Sequence, residues 1–398
     1  MKKNISSICL LLAAIVTITA VSCSTPEEKA AKKINAFIEE SGTLGLAVAV
    51  VKDGKIIYTA SFGRRSPDDN TPLQNGDIFR IASISKSFTT TTLMKLVEEG
   101  RVSLDDDVST LVGFTVKNPA YPDIPVTVKM LLSHSSSLND SQGYFTLNAL
   151  NPATNPDHAK CWNDYEPGTK YQYCNFGFNT LGTVIEKISG VRFDQYVRDV
   201  VLNPLGLTAS FNVDDLPGAV FVPLSHPDTT GLAATGKIGF RISEGVYNSP
   251  AARLDTGYVM GYSTPLFSPT GGIKISAEGL ARYMIMHMHY GMDPATGVRV
   301  MTEENARLMQ TPVVDTSNED GSYCLALNRL TNLIKGETMI GHTGSAYGLY
   351  SAMYFEPDKK FGFVTITNGT TPDYAKYSGG FAPVQGEVIR ILYDVYIK

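Results

Sequence analysis

The 398-residue sequence predicts an α+β fold (α/β in some schemes), with an antiparallel sheet flanked by helices and a mainly helical lobe inserted into it. Three observations carry that expectation. Leu44–Val51 and Lys55–Phe62 are apolar or alternating runs joined by Lys52-Asp53-Gly54, and an Asp-Gly pair between two such runs marks a tight hairpin. Strand-like patterning then returns only late, in Tyr323–Arg329, Thr338–His342, Leu349–Phe355 and Phe361–Thr367. Between the two sheet regions, apolar residues recur at helical rather than alternating spacing.

Taken in order, Pro26–Ser41 has mixed charges with Ile34 and Phe37 on one side and reads as a surface helix. After the hairpin, Ile81-Ala82-Ser83-Ile84-Ser85-Lys86-Ser87-Phe88 leads into a helix that carries Leu93, Leu96 and Val97 on one face and stops at Gly100. Residues 101–108 are turn-rich, Val128–Leu132 is a short helix, and Ser133–Leu138 is a polar loop. Asn179–Ser189 is helical and stopped by Gly190; Phe193–Leu202 is helical and stopped by Pro204 and Gly206. Residues 208–265 are rich in Gly, Pro, Ser and Tyr without a period, a composition suited to shaping a site rather than filling a core. Ser276 caps a helix that runs to Tyr290, Thr302–Met309 is a shorter one, and Val384–Tyr396 closes the chain as an amphipathic helix. The expected organisation is a leader at 1–22, a sheet-plus-helix domain from 28–100 and 266–398, and the helical lobe at 101–265.

A net charge of −5, with no run of Lys or Arg in the body, argues against nucleic acid as a partner. Beyond the N-terminus no apolar stretch approaches a membrane span. Met1-Lys2-Lys3 followed by Ile8–Ala20 reads as a secretory signal. It ends in Ala20-Val21-Ser22-Cys23, which resembles a bacterial lipobox. The expectation is a cell-envelope lipoprotein on the periplasmic side, held to the membrane by a lipid on Cys23; the alternative is ordinary signal cleavage beside an incidental cysteine. Cys161, Cys174 and Cys324 remain in the body, with either a Cys161–Cys174 disulfide or free buried thiols. No His-Glu-x-x-His occurs, and His287-x-His289 lies where residues two apart face different ways, so neither a metal nor a cofactor is expected.

Ser83 and Lys86, three residues apart at the start of a helix, would share one face. Ser83 would also lie at the positive end of that helix, where backbone N–H groups favour developing negative charge. A hydroxyl, an amine in reach of its proton and N–H donors aimed at an oxyanion make an acyl-transfer site. Two further runs carry suitable groups. Tyr171-Gln172-Tyr173-Cys174-Asn175-Phe176-Gly177 sets a phenol and a carboxamide two residues apart before a helix, and Ile340-Gly341-His342-Thr343-Gly344-Ser345 ends a strand in small polar residues.

In this order the three runs resemble the motifs of the penicillin-recognising serine hydrolases: class C β-lactamases, DD-carboxypeptidases and their esterase and D-aminopeptidase relatives. Phe79-Arg80-Ile81-Ala82-Ser83, Leu131-Leu132-Ser133-His134, Glu166-Pro167-Gly168-Thr169, Asn203-Pro204-Leu205-Gly206-Leu207 and Gly271-Gly272-Ile273 are similar to landmarks of the same family. The resemblance implies that Ser83 is the acylated nucleophile, Lys86 its base, and Tyr173 the group that passes protons to the leaving group and activates water. It implies that Asn175, His342, Thr343 and Gly344 bind substrate and that the N–H groups of Ser83 and Ser345 form the oxyanion hole. Where the family's β-lactamases have a lysine, this chain has His342, whose reference pKa of ~6.5 leaves it mostly neutral at neutral pH. The expected activity is therefore hydrolysis of an amide or ester in a small molecule or short peptide, such as a D-amino-acid or peptidoglycan-type peptide or a carboxylic ester. The alternatives are a β-lactamase and a sensor that is acylated without turnover. Oligomeric state is left open.

Overall fold

The computed structural model describes residues 24–236, 238–316 and 321–398; the leader and Cys23 lie outside them. The first helix, α1 (Pro26–Ser41), opens on a capping box in which Thr25 accepts from the Glu28 N–H and the Glu28 carboxylate accepts from the Thr25 N–H. The hairpin follows as β1 (Gly45–Lys52) and β2 (Lys55–Gly63). Asp53 and Gly54 between them both have positive φ, 52° and 69°, as a two-residue turn matched to strand twist requires. The nucleophile region begins with β3 (Phe79–Arg80), passes through a 3₁₀ turn at Ala82–Ile84 and continues as α2 (Ser85–Glu98). The helix expected to start at Ser83 thus starts two residues later.

The lobe holds α3 (Val108–Val112), α4 (Val128–Leu132), α5 (Asn175–Ser189) and α6 (Phe193–Val197), which passes into a π turn at Arg198–Leu202. Helix α5 begins four residues before the expected Asn179 because the Asp140 carboxylate accepts the N–H groups of Asn175 and Phe176, a cap supplied from a distant loop. The 208–265 excursion contains a small ribbon, β4 (Ser225–Asp228) with β5 (Gly239–Ile242), and the short helices α7 (Leu232–Thr235) and α8 (Ala251–Asp255). Its far end is tied to α5 by Glu186, whose fully buried carboxylate accepts from the N–H groups of Phe193 and Gly261 and from the hydroxyls of Thr264 and Tyr258.

The chain re-enters the sheet domain at β6 (Lys274–Ile275), which pairs with β3, and continues through α9 (Ala277–Met288) and α10 (Glu303–Met309). Then come β7 (Val314–Asp315), β8 (Gly321–Tyr323), β9 (Asn328–Leu330), β10 (Met339–Ala346), β11 (Leu349–Glu356) and β12 (Phe361–Thr367), followed by α11 (Pro372–Ala375) and α12 (Pro383–Tyr396). The main sheet is antiparallel throughout, in the order β2-β1-β12-β11-β10-β9-β8-β7. Tyr323–Arg329, expected as one strand, is instead the β8–β9 turn. Its run Cys324-Leu325-Ala326-Leu327 is fully buried, Ala326 has φ 59°, and its N–H reaches the Leu132 carbonyl in the lobe. An apolar run marks burial, and here the buried object is a turn.

Alternate residues of β1 face two cores. Leu46, Val48 and Val50 pack with α1 and α12, while Ala47, Ala49 and Val51 face α9. Helices α1 and α12 run antiparallel. Near one end Tyr374 donates to Glu40, and at the other Tyr396 stacks on Tyr58 at 4.9 Å while its carbonyl accepts from Lys52 Nζ at 2.9 Å. Both ends of the described chain therefore lie beside the Asp53-Gly54 turn. The cysteines Cys161, Cys174 and Cys324 are buried free thiols.

Candidate active site

Ala82 holds a positive φ of 51°, and the 3₁₀ turn that follows brings Ser83 to the floor of a cavity of about 600 Å³. Lys86, one turn on, is completely buried and its Nζ lies 3.1 Å from Ser83 Oγ. The same nitrogen lies 2.9 Å from Asn175 Oδ1 and 3.0 Å from the Thr270 carbonyl. The Asn175 oxygen is assigned by its neighbours, because Nδ2 donates to the Asp140 carboxylate at 2.9 Å while Oδ1 also accepts from Thr270 Oγ1 at 2.7 Å. Burial pushes the Lys86 amine down to about 7, opposed by the Asp140 charge. A neutral amine has two protons and one lone pair. With the protons given to two fixed carbonyl oxygens, the lone pair is left for the Ser83 hydroxyl.

Tyr173 lies on the short extended segment before α5, on the cavity lining with Ser83 and with its ring 4.7 Å from Lys86 Nζ. Burial holds the phenol well above its ordinary value, and the neighbouring Ser83 side chain opposes that rise. The segment is fixed by His134, whose carbonyl accepts from Gln172 N–H and whose Nδ1 accepts from Cys174 N–H. The His134 proton is therefore on Nε2, which is buried without a hydrogen-bond partner among the described residues, with the ring 4.3 Å from that of Tyr173. Burial, then the nearby Lys86 and His342, keep His134 well below the usual imidazole value. The loop read as a polar connector, Ser133–Leu138, is thus entirely buried and props the phenol.

On the opposite wall, His342 is 2% exposed, with Nε2 2.9 Å from the Tyr323 hydroxyl and Nδ1 against the Thr343 carbonyl. Burial pushes it down to about 3. Gly344 packs where no side chain fits: a Cβ there would overlap the Ile81 carbonyl and Ser351 Oγ and lie 3.2 Å from the Ser83 nitrogen. Strand β10 is thereby drawn against the nucleophile turn, with Ser345 on the cavity lining beside Thr343. Ser83, Lys86, Tyr173, Asn175, His342, Thr343, Gly344 and Ser345 are thus gathered at one place where lobe and sheet meet. Sequence reasoning missed Asp140, Thr270 and Tyr323, which enter from loops and neighbouring strands with no spacing signal of their own, and gave Arg80 no role of its own within the Phe79–Ser83 run. No group of acidic, His or Cys residues able to hold a metal is present among the described residues.

The chain matches the Beta-lactamase family model over residues 30–379. It is 28% identical over 346 residues to penicillin-binding protein 4 of Amycolatopsis lactamdurans, covering 85% of this chain and 84% of that one. It is 22% identical to Protein flp of Staphylococcus aureus (strain N315) over 81% of this chain, and spans 59% of that protein's length. The solved octameric penicillin-binding protein homologue from Pyrococcus abyssi superposes with a TM-score of 0.71 at 26% identity, covering 92% of this chain and 76% of that one. EstCE1, a hydrolase with promiscuous acyltransferase activity, superposes at 0.69 with 19% identity over 93% and 98% of the two chains, a likeness of fold alone. The antiparallel sheet, its flanking helices and this match over most of the chain place the protein in the Beta-lactamase family, within a superfamily of β-lactamases and penicillin-binding proteins that are generally serine hydrolases.

Proposed function

We propose that the protein hydrolyses an amide or ester through a covalent acyl-enzyme on Ser83. The observation that carries this reading is the lysine amine fixed 3.1 Å from the serine hydroxyl, with its pKa lowered by burial to about 7. In the first half-reaction Ser83 Oγ bonds to the acyl carbon as its proton passes to Lys86. The N–H groups of Ser83 and Ser345 hold the oxyanion, each such donor typically being worth ~3 kcal/mol. The carbon–leaving-group bond then breaks as Tyr173 hands its proton to the departing amine or alkoxide and is reprotonated from Lys86. Water repeats the sequence in reverse: Tyr173 relays its proton to Lys86 as its oxygen bonds to the acyl carbon, and the Ser83 ester then breaks as Oγ recovers that proton, giving the carboxylic acid. Asn175 retains one N–H for a substrate carbonyl, while Thr343 and Gly344 form the strand wall along which a substrate lies.

A short D-amino-acid peptide or a carboxylic ester suits the neutral His342 better than a β-lactam does, because that position offers no fixed positive charge. The same reading places the enzyme at the cell envelope, held by a lipid on Cys23. Replacing Ser83 with Ala is expected to lower p-nitrophenyl ester hydrolysis by about 10³-fold or more, leaving no mass adduct on the protein. Unchanged hydrolysis in that variant would remove the proposal. If wild-type protein exposed to penicillin or to an ester kept a stable adduct on Ser83 instead of returning to free enzyme, it would be a sensor.

A further inference from the structure

His342 has no polar atom left for a ligand. A carbonyl oxygen only accepts, so Nδ1 beside Thr343 carries the ring proton, and Tyr323 must donate to Nε2. The ring is neutral and both its nitrogens are used. The positive charge of the cavity is elsewhere: among the described residues on its lining, Arg80 is the one with a formal charge, and no carboxylate faces it.

The Arg80 guanidinium is held rigidly. Nε donates to the Gly271 carbonyl at 2.7 Å, Nη2 donates to Ser268 Oγ at 3.2 Å, and the group lies 5.1 Å from the ring centre of Tyr347. A Cβ built on Gly271 would come within van der Waals reach of Ala82, the residue before Ser83, so this anchorage adjoins the nucleophile turn. A guanidinium has five N–H groups in a planar fork, and those not used here have no protein partner among the described residues. The contrast within the molecule is informative. Arg65 and Arg192 are each paired with a carboxylate, Asp77 and Asp194, at 2.7 Å, and neither lines the cavity, whereas Arg80 has no ion pair among the described residues. The neighbouring Lys274, opposite Arg80 across β3 and β6, is buried with its Nζ directed to the Phe211 carbonyl and does not line the cavity.

We infer that Arg80 is the anion-recognising residue of this site and that the substrate carries a carboxylate, which the free edge of the guanidinium receives. This rests on the hydrolase reading above and adds the substrate's charge to it. The test is a pair of chromogenic esters that differ only in a free or methyl-blocked carboxylate, made once with that group in the acyl chain and once in the leaving phenol. Wild type should favour the free carboxylate in at least one pair by about tenfold in kcat/KM, and added salt should narrow the gap. In Arg80→Gln the preference should vanish whatever the rate on the blocked ester, and Arg80→Lys should keep part of it. A purely structural Arg80 would slow both esters of a pair equally in Arg80→Gln, and that result overturns the inference, as does a wild type indifferent to the carboxylate. If Arg80→Gln does not fold, the wild-type ratio and Arg80→Lys decide. Titrating the inactive Ser83→Ala protein with a short dicarboxylate, with and without Arg80→Gln, reads anion binding without turnover. The inference therefore fails separately from the hydrolase proposal.

Discussion

Lys86 sits between two carbonyl oxygens and a hydroxyl, with a carboxylate one residue further away. An amine that must be unprotonated to act should give a rate that falls about tenfold per pH unit once the pH drops below its pKa, so kcat/KM is expected to rise through neutrality with a limb near pH 7. Asp140 sets where that limb lies, since its charge favours the ammonium form. Asp140→Asn should therefore move the limb to lower pH and, by loosening Asn175 and the α5 cap, lower kcat by about tenfold. A pH–rate profile unmoved or moved upward would contradict this arrangement. Ser83 and Lys86 could be read together because three residues on a helix start is a local geometry, and Tyr173 and Asn175 because they precede a helical pattern. Asp140, Thr270 and His134 could not, since each meets the others only through a loop whose path depends on the whole lobe.

Close approach of β10 to the nucleophile turn depends on Gly344. A methyl group there meets the backbone of Ile81, so Gly344→Ala should push strand and turn apart, destabilise the fold by ~1–3 kcal/mol and lower kcat far more than it raises KM. Urea titration together with steady-state kinetics checks both parts; a stable, fully active variant would show that the contact yields. Helix α2 shows how a polar element can be buried on every side. Thr90 and Thr92 return their hydroxyls to the carbonyls four residues back, Thr89 donates to the Pro269 carbonyl next to Thr270, and Thr91 pairs with the Tyr283 hydroxyl. The helix was legible from Leu93, Leu96 and Gly100, but its burial was not, because four consecutive threonines look like a solvated face. The same limit explains the β8–β9 turn, where periodicity reports burial and says nothing of chain direction. The hairpin of β1 and β2 was legible because Asp53-Gly54 encodes the backbone sign the turn needs.

Across the molecule, several titratable groups are stored in the uncharged form. Burial pushes His287 and His342 down to about 3, and His134 well below its ordinary value. The unfolded chain would bind protons at these positions between about pH 6.5 and 3 while the folded chain would not, so stability present above the unfolded value is lost as the pH falls, by ~1.4 kcal/mol per unit per group. His287, packed between Tyr283 and Phe355 away from the cavity, isolates the effect. His287→Phe should lose less stability than wild type when urea unfolding is repeated at pH 5 instead of pH 7, and an identical loss would mean that His287 is not neutral in the fold. The antiparallel pairing of α1 with α12 has a practical consequence. Residues 342–346 of β10 run towards the strand ends opposite the Asp53-Gly54 turn, and it is beside that turn that both extremities of the described chain emerge. A bead, carrier protein or affinity handle joined through either extremity would leave the cavity mouth directed outward, so immobilised enzyme should retain its solution KM.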